Sequence, residues 1–222
     1  MLEDLKIRLT KIAKKADSEG LCKHKSGNFS IRDEKTGYIL VTPSGIAREE
    51  LTPNHICVVD RDSNLIEVEE NVKPTSELLM HLEAYKCRKD IKAIVHTHSR
   101  VATAFSVLNK EIPPIVYEIV NVVGGDGRIK VAPYARPGTV DLAKSIIGPI
   151  KKADACLMAN HGVLATSTKN IEDALLKASY VEEIADVYYR TLLINNGNEP
   201  KTISESELKL WKYPDEINLS SK

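Results

Sequence analysis

Neither sign of charge is in excess in this 222-residue chain. Lysine plus arginine and aspartate plus glutamate number 31 each, so bulk charge offers no attraction to nucleic acid or to an anionic membrane. A small anionic substrate needs only a local pocket and stays open. The four cysteines, Cys22, Cys57, Cys87 and Cys156, include no CxxC pair and match neither a zinc knuckle nor a disulfide framework. Cys57 and Cys156 sit in apolar, strand-like runs, where thiols are usually buried and inert. No stretch approaches the roughly 20 apolar residues of a membrane span. The N-terminal MLEDLKIRLTKIAKKA lacks a continuous apolar segment followed by a small-residue cleavage site, so a reducing cytoplasm is the expected compartment. Internal repeats, low-complexity tracts and linkers are also missing, and one domain over residues 1–222 is the economical expectation.

What is present is a series of strand-like and helical runs with polar residues at their ends. Leu2, Leu5, Leu9, Ile12 and Ala16 recur every three or four residues. They form one apolar stripe on a helix that Gly20 ends, with Lys6, Lys11, Lys14 and Lys15 expected on its solvated faces. Lys25-Ser-Gly-Asn-Phe-Ser30 precedes Ile31, and Thr42-Pro-Ser-Gly45 follows the strand Tyr38–Val41. Each loop reads either as a plain turn or as a backbone nest for an anion. Ile56–Asp60 and Leu65–Val68 flank Arg61-Asp-Ser-Asn64 as a hairpin. Lys73-Pro-Thr-Ser-Glu77 then runs into a helix expected to start near Ser76, with Leu78, Leu82 and Tyr85 on one face. Hydroxyls beside free backbone N–H groups can hold a phosphate there. Glu77 serves chemistry or merely opposes the helix dipole. His81, one turn on, is expected at the helix surface or behind the site rather than as a ligand.

Val101 to Leu108 reads as an apolar helix, and prolines stiffen the extended segment Ile112–Tyr117. Gly124-Gly-Asp-Gly127 is a turn without the glycine spacing of a dinucleotide fingerprint. Val131–Tyr134 is a short strand, and Pro137-Gly-Thr-Val-Asp141 opens a helix reaching about Ile147. Asp154–Ala159 is a buried strand ending in Asn160-His-Gly162, where Gly162 allows close backbone approach. The longest helix spans Ile171 to Asn195, with Ala174, Ala178, Val181, Ala185, Tyr188 and Leu192 along one side. Its tyrosines, Tyr180, Tyr188 and Tyr189, are expected in packing. Ser204-Glu-Ser-Glu207 fits a capping box for a last short helix carrying Trp211.

The stretch with most chemical content is Ile94-Val-His-Thr-His-Ser99. In an extended chain, side chains two apart leave the same face, so His96 and His98 look in one direction. Two such imidazoles are half of a first-row metal site, or else a surface pair, or one of them satisfied by a carbonyl. His161, at a second strand end, and Glu77, at a helix start, would complete a His₃Glu shell for Zn²⁺.

The ordered set Gly27-Asn-Phe-Ser30, Thr42-Pro-Ser-Gly45, Pro74-Thr-Ser-Glu77, His96-Thr-His98 and Asn160-His-Gly162 resembles the class II aldolase/adducin family, over nearly the whole chain to about Asn196. The resemblance implies a single α/β domain with a central, mainly antiparallel sheet flanked by helices on both sides. It also implies a homotetramer with active sites between subunits. It assigns Zn²⁺ to His96, His98, His161 and Glu77, with Glu77 also the base, and the substrate phosphate to Asn28, Ser44, Gly45, Thr75 and Ser76. Tyr117 resembles the family's tyrosine that reaches a neighbouring subunit's site. Read from residues alone, Tyr117 is a buried packing residue. Thr75 and Ser44 stand where serine and threonine are common, each keeping a hydroxyl. The implied activity is cleavage of a ketose 1-phosphate, L-fuculose 1-phosphate foremost, into dihydroxyacetone phosphate and a small aldehyde. Ribulose-phosphate 4-epimerases of this fold typically carry aspartate in place of Glu77. Nothing singles out a sugar-phosphate dehydratase. A non-catalytic adducin-like module would be expected to lose zinc ligands, and all four are present.

Overall fold

Alternation of side chains along short strands builds the frame. In the computed structural model, which describes residues 2–124 and 126–210, these strands are β1 (Asn28–Arg32), β2 (Ile39–Val41), β3 (Cys57–Val59), β4 (Leu65–Glu67), β5 (Ala93–Thr97), β6 (Val131–Ala132), β7 (Ala155–Met158) and β8 (Gly162–Ser167). They form one sheet in the order β4-β3-β2-β1-β5-β8-β7-β6. Only the β6–β7 pair is parallel; the others run antiparallel.

Because successive side chains point to opposite faces, each strand feeds two cores. Phe29, Leu40, Val58, Val95, Leu157 and Val163 join one, with α1 (Glu3–Ser18), α3 (Arg100–Val107), α4 (Ile119–Val123) and the 24-residue α7 (Ile171–Ile194) packed over it. Ile39, Val59, Ile94, Cys156, Met158 and Leu164 join the other, covered by α2 (Leu78–Cys87), α5 (Val140–Ser145) and α6 (Ile147–Ile150). The fold is therefore a single α/β domain with a mainly antiparallel sheet between helical layers, as the resemblance implied. None of the described helices is long and apolar enough to cross a membrane.

Local departures have local causes. Lys6 is not on a solvated face: it is only 4% exposed and its ammonium pairs with Glu67, delivered by β4. The strand β8 was not anticipated at all, although it lies against β5 at the centre of the sheet. The helix expected from residue 137 begins at Val140, after a cap in which the Thr139 hydroxyl accepts from the Leu142 N–H, and breaks at Ile146 into α5 and α6. Tyr188 packs as expected, stacked on Phe105 with centroids 4.9 Å apart, whereas Tyr189 is 48% exposed. The last helix, α8 (Glu205–Leu210), is capped by Ser204, whose hydroxyl accepts from the Glu207 N–H; Trp211 lies outside the described residues. The four cysteines are free, and burial pushes the Cys156 thiol up to about 12, as an inert buried thiol requires.

Candidate metal centre and active site

The alternation that sends Val95 to the α7 side sends His96 to the α2 side, and His98, just past the strand, follows it. The β5–β8 register sets His96 opposite Leu164 and Thr97 opposite Val163. This brings in the β7–β8 turn, where Asn160 takes φ +55° and His161 precedes β8. The approach is close enough that a Cβ on Gly162 would collide with the Thr97 carbonyl oxygen and crowd the His96 and His98 rings. The three rings end with centroids 4.8 to 5.1 Å apart, and one ligand atom from each lies within 4.8 Å of the others.

Glu77 arrives from the α2 side. It caps α2, with the Met80 N–H donating to its carbonyl oxygen and its own N–H donating to the Thr75 hydroxyl. Its Oε1 lies 3.1 Å from His161 Nε2 and its Oε2 lies 3.2 Å from His96 Nε2. Burial alone would raise this carboxyl, but the charge of His96 and hydrogen bonds from His161 and His96 outweigh it and hold it well below the carboxylate range. His96 Nδ1 sits 2.8 Å from the Val163 carbonyl, which can only accept, so Nδ1 donates there and Nε2 is left facing the site as the nitrogen that would ligate a metal. Burial, then the charges of His96 and His161, push His98 down to about 3, the neutral form that ligates. Three imidazole nitrogens beside an ionised carboxylate are a donor set suited to Zn²⁺.

The three loop segments read as possible phosphate elements are hydrogen-bonded neighbours. Thr42 exchanges two bonds with Phe29, through its N–H and its hydroxyl, both at 3.0 Å. The Thr75 N–H donates to Thr42 O at 3.1 Å, the Ser44 N–H donates to Lys73 O at 2.9 Å, and Pro43 bridges Pro74. Arg48 anchors the first loop by donating to the carbonyls of Ser26 and Gly27. Ser44, Gly45 and Ser76 are exposed and Thr75 is buried. Gly45 has φ +77°, with open space where a Cβ would stand. Thr75 and Ser76 lie just ahead of α2 rather than inside it. Asn28 differs from the rest. It pairs with His96 in the β1–β5 register, and its amide spans Glu77 and His81.

His81 is fully buried and stands behind Asn28, so the helix-surface alternative does not hold. Tyr117 is not the buried packing residue its own segment suggested: it is 41% exposed, in the turn that opens α4 on the α7 side. Ser30 and Tyr85, hydrogen-bonded behind Asn28, were missed. The available signal was Asn28 and Ser30, two polar residues alternating with the apolar Phe29 and Ile31 on β1.

This geometry defines a partly buried metal-dependent centre at the ends of the central strands of a mainly antiparallel sheet. The model of the class II aldolase and adducin N-terminal domain family matches residues 7–189. The chain belongs to that family, and with its three-histidine site it is a class II, metal-dependent aldolase, a lyase. It is 38% identical over 194 residues to the L-fuculose phosphate aldolase of Escherichia coli strain K12, covering 87% of this chain and 86% of that one. It is 35% identical over 209 residues to the 5-deoxy-D-ribulose 1-phosphate aldolase of Bacillus thuringiensis serovar kurstaki, covering 94% of each. Among solved structures, an L-fuculose 1-phosphate aldolase superposes with a TM-score of 0.86 at 36% identity over 93% of both chains.

Proposed function

We propose that the chain is a zinc-dependent aldolase that cleaves a ketose 1-phosphate, L-fuculose 1-phosphate foremost, into dihydroxyacetone phosphate and a small aldehyde. The observation that carries this reading is the Glu77 carboxylate, ionised and lodged between His96 and His161. His96, His98, His161 and Glu77 hold Zn²⁺, which when bound supplies Lewis-acid stabilisation of the negative charge left as the carbon–carbon bond breaks. Glu77 accepts the proton of the hydroxyl being cleaved or returns one to the carbon that is released. Ser44, Gly45, Thr75 and Ser76, with Asn28 beside them, hold the phosphate away from the breaking bond, and that grip orients the reacting carbons. In an adjacent subunit of a homotetramer Tyr117 hydrogen-bonds the aldehyde oxygen as the carbonyl forms, and donates a proton to that oxygen in the reverse, condensation direction, a role its exposed position accommodates. Four free thiols suit a reducing cytoplasm.

The aldehyde half separates two substrates. The likeness to the fuculose enzyme favours lactaldehyde, and the longer match to the deoxyribulose enzyme favours acetaldehyde as the second reading. Incubating zinc-loaded protein with L-fuculose, ribulose and 5-deoxyribulose 1-phosphates, coupled to detection of dihydroxyacetone phosphate, tests both. Release from L-fuculose 1-phosphate should be fastest. Release from none of them, or an epimerised ketose phosphate in place of the triose, overturns the reading.

A further inference from the structure

Behind Glu77 an unbroken line of side chains crosses the α2 face of the sheet. Asn28 Nδ2 donates to Glu77 Oε2 at 2.8 Å, and His81 Nε2 lies 2.6 Å from Asn28 Oδ1. Ser30 Oγ lies 2.7 Å from His81 Nδ1, and Tyr85 OH 2.9 Å from Ser30 Oγ. All five residues are buried. Local geometry assembles the line: Asn28 and Ser30 alternate on β1, while His81 and Tyr85 are one turn apart on α2.

The direction of each bond follows from the end of the line. A carboxylate only accepts, so Asn28 presents its NH₂ to Glu77 and its carbonyl oxygen to His81. That oxygen requires a donor, which puts an imidazole proton on Nε2. Burial, reinforced by His96, pushes His81 down to about 3, so the ring is neutral and has one proton to place. Nδ1 then accepts from the Ser30 hydroxyl, which accepts from the Tyr85 hydroxyl. The opposite tautomer would set a bare Nε2 against the Asn28 oxygen, or turn the amide over and set that oxygen against Glu77. In a buried site either mismatch is costly.

We propose that His81 is a positioning residue: through the Asn28 amide it holds the Glu77 carboxylate in the single orientation that faces His96 and His161. Ser30 and Tyr85 keep His81 in the required tautomer without touching Glu77. The inference rests on the role given to Glu77 above.

Ring ¹⁵N shifts of His81 in the metal-free protein should show a protonated Nε2 and a bare Nδ1 between about pH 6 and 8; the reverse tautomer, or an imidazolium, overturns the proposal. His81→Phe keeps a planar ring but removes the donor, and should lower kcat roughly 10–100-fold with KM little changed. His81→Gln, whose amide N–H can meet Asn28 Oδ1, should recover most of that loss. Equal losses in the two variants, or a loss confined to KM, overturn the proposal. Glu77→Gln distinguishes the two levels. Full kcat in that variant removes the role of Glu77 itself, whereas an inactive Glu77→Gln beside a fully active His81→Phe removes only the positioning role.

Discussion

On β5, Val95 joins Phe29, Leu157 and Tyr188 in the apolar core under α7, while the next residue, His96, faces α2 and meets Glu77. The same strands thus furnish two unlike surfaces. Under α7, stabilisation scales with area, about 1.5–3 kcal/mol for each large apolar side chain fully buried. Under α2, the sheet buries histidines, a carboxylate, an asparagine and a serine, each of which costs about 1–3 kcal/mol if left without a partner. A reactive face of this kind depends on the stability the other face supplies, and on partners placed by register.

Substitutions that touch one face and not the other test that division. The largest effect belongs to His96→Ala, which should lose metal and slow aldol cleavage at least about 10³-fold, near 4 kcal/mol of barrier. Metal analysis beside dihydroxyacetone phosphate release checks it, and full metal occupancy in a His96/His98 double alanine variant would sink the ligand assignment. Leu157→Ala, on the apolar face, should lower unfolding stability by about 3 kcal/mol and leave kcat unchanged well below the melting temperature. A comparable loss of kcat would erase the distinction between the faces. Tyr117→Phe probes the one residue on the α7 side to which we give a chemical role. It should slow cleavage roughly 10²-fold, about 2.7 kcal/mol, with metal content intact. Refolded mixtures with Glu77→Gln chains should regain activity, and undiminished turnover in Tyr117→Phe alone would remove its role.

The smallest effect is a pH slope. His81 has its folded pKa pushed from 6.5 to about 3, chiefly by burial. The unfolded chain therefore takes up a proton below about pH 6.5 that the folded chain refuses, and stability present above that pH is lost as pH falls toward 3. The slope from this group alone is at most about 1.4 kcal/mol per pH unit. Thermal melts of metal-free protein should show a shallower decline in His81→Gln than in the parent; parallel curves would mean that His81 titrates normally.

Short-range pattern made much of this legible. Residues two apart on a strand must share a face, so the direction common to His96 and His98 could be read directly, as could the stripe of α1. The strand β8 escaped because Gly-Val-Leu-Ala-Thr-Ser combines a glycine start with a polar end, and its strand character comes from β5 and β7 on either side. Lys6 misled because its partner Glu67 comes from a distant hairpin, and periodicity describes only the helix it is counted on. His81 was ambiguous for the same reason: its burial depends on β1 lying beneath α2. Tyr117, in a proline-stiffened turn, had no periodic neighbour to show how exposed it would be.

β5 and the residue just past it supply two of the four converging side chains, yet the strand on its far side, β8, is made only after α3, α4, α5 and α6. During synthesis His96 and His98 emerge together and wait for His161. A cation that meets the chain in this interval finds an incomplete set of ligands, and nothing holds it tightly until the last central strand closes. Retention of metal should thus come late in assembly. In a refolding reaction, uptake should lag behind the formation of helices and trail the docking of β8, so that the loaded fraction counts only chains whose sheet is complete.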